Sequence, residues 1–291
     1  MIQVYDRRQN RIVDEKECGV GSIKFLYNTR TGRIILKSFA VHKPFSKVYS
    51  TYEKSPLSRG KVKKFVRKYN ISTEDCVQKK YRNFNEFFTR KRVCYIDRTA
   101  QNELPAIADS KLTAYRLSGD CRFSIKNSNY SVSELLEDAS YAEKFRDGYC
   151  LVFRLTPDNY HRYVYPDSGT QEATKKIKGV LHTVNPISAD RSVNVYVRNS
   201  RQWTVLHTEH FGELVQIEVG AMLVGKIRNH YLHGGAYFSK LDEKGYFEYG
   251  GSTVALLIPA GVVEIDEDIL EYSQKGIETR VVIGERIGKR I

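Results

Sequence analysis

From about Cys94 onward the chain is a succession of short runs rich in Val, Ile, Tyr and Thr, punctuated by Gly, Asn, Asp and Pro. They read YCLVFRL (149–155), KKIKGVLHTV (175–184), VNVYVRN (193–199), RQWTVLH (201–207), ELVQIEVGAMLVGKI (213–227), AYFSKL (236–241), STVALLI (252–258) and TRVVIG (279–284). Such runs predict strands, and so many in series predict a largely antiparallel β domain. Before Cys94 the spacing is helical. Residues 22–48 set Ile35, Leu36, Phe39 and Val41 beside Lys37, His42 and Lys43, the pattern of an amphipathic surface helix. Two more basic-apolar helices are predicted at 58–69 (SRGKVKKFVRKY) and 83–92 (NFNEFFTRKR), with Asn83 or Asn85 capping the latter. A further helix is predicted at 131–146, capped by Ser131 or Ser133. The expected class is α+β: a basic helical segment over 1–92, then a β-rich domain over 93–291 entered through a linker near 93–108.

Charge sharpens that division. The net charge is +13 over 291 residues. Residues 1–92 hold 23 Lys/Arg against 8 Asp/Glu, a net +15, and the remainder holds 24 against 26, a net −2. A basic field confined to the first third suits an anionic surface, phospholipid headgroups or nucleic acid. Helices with basic flanks and Phe, Leu and Ile faces have the composition of interfacial anchors; the same faces could equally pack on the domain behind them. No recognisable nucleic-acid motif accompanies the basic residues, so no nucleic-acid partner is expected. No run approaches the roughly 20 apolar residues of a spanning helix, so the protein is expected to lie on a membrane and not to cross it. Five scattered cysteines without metal spacing fit a reducing compartment. His207/His210 and His230/His233 are spaced i, i+3, which on strands puts the rings on opposite faces, so no metal is expected.

Common catalytic signatures, including GxSxG, HExxH and phosphate-binding glycine loops, are missing in a usable context. The unusual stretch is YFEYGGSTVALLIPAG (246–261), where Gly250, Gly251, Ser252 and Thr253 stand at the mouth of an apolar strand. One reading is a bulge or turn in which the serine is incidental. The other is a self-cleavage site. Glycine allows a strained backbone in which Ser252 Oγ attacks the preceding carbonyl. The amide becomes an ester, β-elimination cuts the chain, and the resulting dehydroalanine hydrolyses to a pyruvoyl group, an electron sink for decarboxylation without pyridoxal phosphate.

The second reading gains support from a resemblance. KGYFEYGGSTVALL, with NFNEFFTRK (83–91), PAIADSKLTAY (105–115), NYHRYVYPDSG (159–169), VLHTVNPIS (180–188) and TEHFGELVQIEVGAMLVGKI (208–227), is similar in sequence and order to the pyruvoyl-dependent phosphatidylserine decarboxylases. The resemblance covers about residues 20 to 290. It implies cleavage between Gly251 and Ser252, giving a β chain 1–251 and an α chain 252–291 headed by a pyruvoyl group at Ser252, the Schiff-base partner of the substrate amine. It implies that Asp109 is the aspartate of a serine-activating triad and that His161 serves the decarboxylation step. The family usually reads HRxH; here the second histidine is replaced by Val164. Either another group, His161 or His182, supplies the base, or the chain is an uncut, inactive relative that binds lipid. Decarboxylation of another amine, such as a free amino acid, is the remaining alternative. The expected activity is conversion of phosphatidylserine to phosphatidylethanolamine at the cytoplasmic face of the cell membrane. Lys37, Lys43, Lys47, Lys61, Lys63 and Lys64, interleaved with Phe39, Phe45 and Phe65, are the expected contacts with anionic lipid. A homo-oligomer is compatible with everything above.

Overall fold

A computed structural model describes residues 2–15, 20–36, 38, 41, 43–125, 128–184, 194–222, 226–250 and 252–291. Its centre is an 11-stranded sheet in which Gly212–Val219, Ser252–Ile258, Tyr149–Leu155 and Ser110–Arg116 are successive antiparallel neighbours. Every residue of Ser252–Ile258 is buried. Val254, Leu256 and Ile258 join one apolar cluster, and Ala255 and Leu257 join another. Successive side chains of a strand face opposite ways, so a strand covered on both faces reads as one continuous apolar run, as STVALLI does. Smaller sheets flank this one. One of them, Ile227–Asn229, Glu243–Phe247 and Arg162–Val164, holds the segment that follows His161.

The expected α+β class and the antiparallel pairing are both present, with one parallel strand pair and one isolated parallel bridge, Val180 to Asn199, among the described residues. Ile2–Asp6 and Arg11–Glu15 form a hairpin whose first strand pairs parallel with Glu278–Val281. Strands here were not anticipated, because IQVYD and RIVDE are short and charged. Arg7 fixes the hairpin's turn through Asp266 and Asp268 on a distant segment, a tertiary anchor that local pattern does not carry.

Other expectations shift at their edges. The 22–48 span holds Val20–Asn28, Arg30–Ile35 and the start of Lys43–Glu53; the first two part because Thr29 takes an extended conformation and caps the second by accepting from Gly32 N. His42, Lys37 and Phe39 lie outside the described residues, as do the side chains of Lys43 and Phe45. The 131–146 helix breaks into Val132–Leu136, Ala139–Ala142 and a 3₁₀ turn. Glu137 sits at φ 52°, and Asp138 caps the next piece by accepting from Tyr141 N. Within VNVYVRN, Val195–Arg198 is a helical turn and not a strand. Asn199 fixes it, donating to the carbonyls of His182 and Gly220 and accepting from His182 N, so tertiary contacts override β-propensity.

The 58–69 and 83–92 helices are present as Arg59–Tyr69 and Phe84–Phe88, the latter capped by Asn83, which accepts from Glu86 N at 2.9 Å. Their apolar faces turn inward. Val62, Phe65 and Val66 pack on Phe84, Phe87, Phe88 and Tyr81. Phe65 is therefore a packing residue, and Lys61 is paired with Glu53 at 2.6 Å.

Candidate active site

The site is assembled where two antiparallel neighbours end together. Ser252, first in its strand, pairs with Leu155, last in its own. The chain then reverses through Thr156–Asn159, where Asn159 Oδ1 accepts from both Thr156 N and Thr156 Oγ1 and Asn159 N donates to Thr156 O. Pro157 and Asp158 inside this reversal are ordinary turn residues. The turn returns the chain so that His161 lies against Ser252. Gly250, just before the site, has φ +136°, a conformation that residues with a Cβ seldom adopt.

His161 Nδ1 is 3.2 Å from Ser252 Oγ, and His161 Nε2 is 3.0 Å from Thr156 O. A carbonyl oxygen only accepts, so Nε2 carries the proton and the lone pair of Nδ1 faces the serine hydroxyl. Both residues are fully buried. Burial pushes the imidazole pKa down to about 3 against a small opposing effect of the Thr156 carbonyl, and the charge of Arg90 lowers it further. The ring is neutral at physiological pH, with its acceptor free. Phe88 stacks on it, centroids 4.0 Å apart at 30°. The Phe88 segment is itself held from the strand that follows the histidine: Arg162 Nε donates to Thr89 O and Arg90 O, and Arg162 Nη1 pairs with Glu243 at 2.6 Å.

Ser252 and His161 are thus brought together, and other expected residues are placed elsewhere. Asp109 makes no described bond to a histidine or to Ser252. Its carboxylate accepts from Arg92 Nη1 and Nη2 and from Ile283 N, so a bidentate guanidinium and a backbone amide, and not a histidine, orient it. Arg92 joins Asp109 to the site indirectly, since its backbone N–H donates to Tyr160 OH. His182 Nδ1 is 3.1 Å from Tyr27 OH, and no bond to Ser252 is found among the described residues. Val164, where a second histidine was expected, is fully buried in the apolar core beside Glu243 of the next strand. Gly251 lies outside the described residues.

The sequence pattern of the phosphatidylserine decarboxylase family matches residues 84–289. The chain belongs to the phosphatidylserine decarboxylase family. Among its relatives in that family is phosphatidylserine decarboxylase proenzyme 2 of Clostridium acetobutylicum, 45% identical over 291 residues, covering 99% of this chain and 98% of the relative. The phosphatidylserine decarboxylase proenzyme of Desulfitobacterium hafniense is 37% identical, covering 100% and 99%. That of Clostridium botulinum is 38% identical, covering 100% of both chains. Family membership, inferred from six sequence blocks, is borne out by similarity along the whole chain.

Several residues of this family member's site were not singled out from sequence. Phe88 was read as part of an interfacial helix, and the Thr156 carbonyl has no side-chain signature. The TPDN turn just before His161 was the available signal. Thr253 Oγ1 is also buried with no hydrogen-bond partner among the described residues, directly after Ser252. A pyruvoyl group would be made from Ser252's own atoms and needs a hydroxyl that faces a base. Ser252 beside His161 fits that requirement. Among the described residues no helix is long and apolar enough to cross a membrane.

Proposed function

We propose that this chain is a self-processing phosphatidylserine decarboxylase in which His161 activates Ser252. The reading rests on one observation, the imidazole held between Thr156 O and Ser252 Oγ. The carbonyl takes the orienting role that a carboxylate has in other hydroxyl-activating triads. Asp109 then supports the site from a distance, through Arg92 and Tyr160. The contact also disfavours the uncut, inactive alternative, since Ser252 has a base despite Val164.

Ser252 Oγ–H gives its proton to His161 Nδ1 as Oγ bonds to the carbonyl carbon of residue 251. The bond from that carbon to the Ser252 nitrogen breaks, the nitrogen takes the proton from the imidazolium, and an ester replaces the amide. Loss of the Ser252 Cα proton with scission of Cβ–Oγ releases 1–251 with a free carboxylate and leaves dehydroalanine heading 252–291. Tautomerisation to the imine and addition of water release ammonia and leave the ketone. A pyruvoyl group at position 252 supplies an electrophilic carbonyl that accepts the electron pair left when an amino acid headgroup loses CO₂. His161, its ring stacked on Phe88, remains placed to hold or deliver a proton there.

The substrate is phosphatidylserine, met at the cytoplasmic face of the membrane by the basic first third. Lys47, Lys63 and Lys64 are exposed, and exposed Leu57 and Val48 supply apolar contacts in place of Phe65. Denaturing gels of freshly translated chain test the base. The parent should cut to two chains, and Ser252→Ala and His161→Asn should stay whole. Cutting of His161→Asn at the parent rate would overturn the assignment.

A further inference from the structure

A cleft of about 260 Å³ is lined in part by Tyr69, Arg90, Arg92, Asp109, Asp158 and Tyr160, the last of which directly precedes His161 in the chain. Its two arginines are in opposite situations. Arg92 is held by Asp75 at 2.8 Å and by both oxygens of Asp109. Arg90 is 5% exposed, yet its guanidinium has no carboxylate partner among the described residues. Its one described side-chain hydrogen bond is Nη1 to Phe87 O at 3.4 Å. Its carbon lies 4.9 Å from the Phe87 ring centre and 5.8 Å from that of Tyr160. A guanidinium has five N–H donors in a planar fork, and burying one with most donors unpaired is costly. The two rings and the Arg162 clamp on Arg90 O hold it in place.

We propose that Arg90 binds the phosphodiester of the lipid headgroup during decarboxylation, an inference that rests on the function proposed above. Phosphate oxygens match the guanidinium fork. The phosphodiester is also a short chain of bonds from the headgroup amine, and Arg90 stands two residues beyond Phe88, whose ring stacks on His161 at 4.0 Å. The headgroup carboxylate is the other anion available. A guanidinium pinned to it would stabilise the ground state more than the transition state, since the carboxylate charge disperses as CO₂ departs. The phosphodiester keeps its charge throughout, so binding it lowers KM without slowing chemistry. Asp158, the remaining carboxylate of the cleft, makes no ion pair with Arg90 among the described residues.

The test compares parent, Arg90→Gln and Arg90→Lys after each has cut itself, in mixed micelles of phosphatidylserine. Cutting reports the Ser252–His161 chemistry separately, so a parent that stays whole would sink the underlying function and not this assignment. Arg90→Gln should raise KM at least tenfold with kcat within about threefold, a loss typical of a charge-assisted hydrogen bond, and Arg90→Lys should fall between. Inhibition by phosphatidylethanolamine, which keeps the phosphodiester and lacks the carboxylate, should weaken by the same factor as KM. An unchanged KM, or a raised KM with unchanged inhibition by phosphatidylethanolamine, would overturn the proposal, the second by assigning Arg90 to the carboxylate. Should both variants fail to fold, the parent decides. Glycerophosphoethanolamine should inhibit it where equal ethanolamine does not, and equal effects of the two would overturn the assignment.

Discussion

Acidification from pH 7.5 to 5.0 should destabilise the chain through His161, by an amount the site lets one work out. The folded ring takes its proton only near pH 3, whereas in the unfolded chain it titrates near 6.5. The unfolded state therefore binds more protons across the window between these values, and stability falls as pH drops through it. At pH 5.0 the ring is about 1.5 pH units below its unfolded pKa, so at about 1.4 kcal/mol per unit the loss is about 2 kcal/mol. Ser252→Ala keeps the chain whole and gives a single species for urea unfolding. Adding His161→Asn removes this titration and retains a polar group against position 252. The single variant should lose about 2 kcal/mol more than the double variant between the two pH values. His182, which burial pushes down to about 4, contributes equally to both and cancels. Burial raises Glu15, Glu213 and Glu243, but their cationic and hydrogen-bonding partners outweigh it and hold them below the ordinary carboxylate range, and their contribution is common to both variants. Equal losses in the two variants, within about 0.5 kcal/mol, would mean that His161 protonates freely and is not the buried neutral acceptor described above.

Phe88→Leu removes the ring face that holds the imidazole. It should lower stability by about 1–2 kcal/mol in thermal unfolding and slow self-cleavage on a denaturing gel, whereas unaltered cleavage would deny Phe88 a positioning role. Asp109→Asn keeps an acceptor for Ile283 N but weakens the pair with Arg92, so cleavage should slow without stopping; complete arrest would require a direct part for the carboxylate. Lys63→Glu with Lys64→Glu should weaken binding to vesicles containing phosphatidylserine by tenfold or more at low salt, at about 1 kcal/mol per charge near the surface. Binding that ignores both the substitutions and the salt would remove the basic helix from the membrane contact.

The strands were the most legible feature because burial on both faces writes itself as STVALLI and YCLVFRL. The short helix at Phe84–Phe88 was legible through its Asn83 cap. The direction its aromatic face takes was not, since an apolar face looks the same whether it meets lipid or protein. Ser252 and His161 could each be named from sequence, and their contact could not, because it depends on two strands ending together and on the turn at Thr156–Asn159. The Asp109–Arg92 pairing escaped for a related reason. Arg92 stands among basic residues read as a surface, and only the fold brings it 17 residues along the chain to that carboxylate. The N-terminal hairpin needs partners more than 250 residues away, which no local pattern encodes.

Intact-mass analysis of the purified chain under denaturing conditions bears most directly on the Ser252–His161 chemistry. Two polypeptides are expected, residues 1–251 with a free carboxylate and residues 252–291 beginning with a pyruvoyl group whose mass shifts on treatment with hydroxylamine. A single uncut polypeptide of 33.6 kDa after prolonged incubation would contradict the self-processing reading.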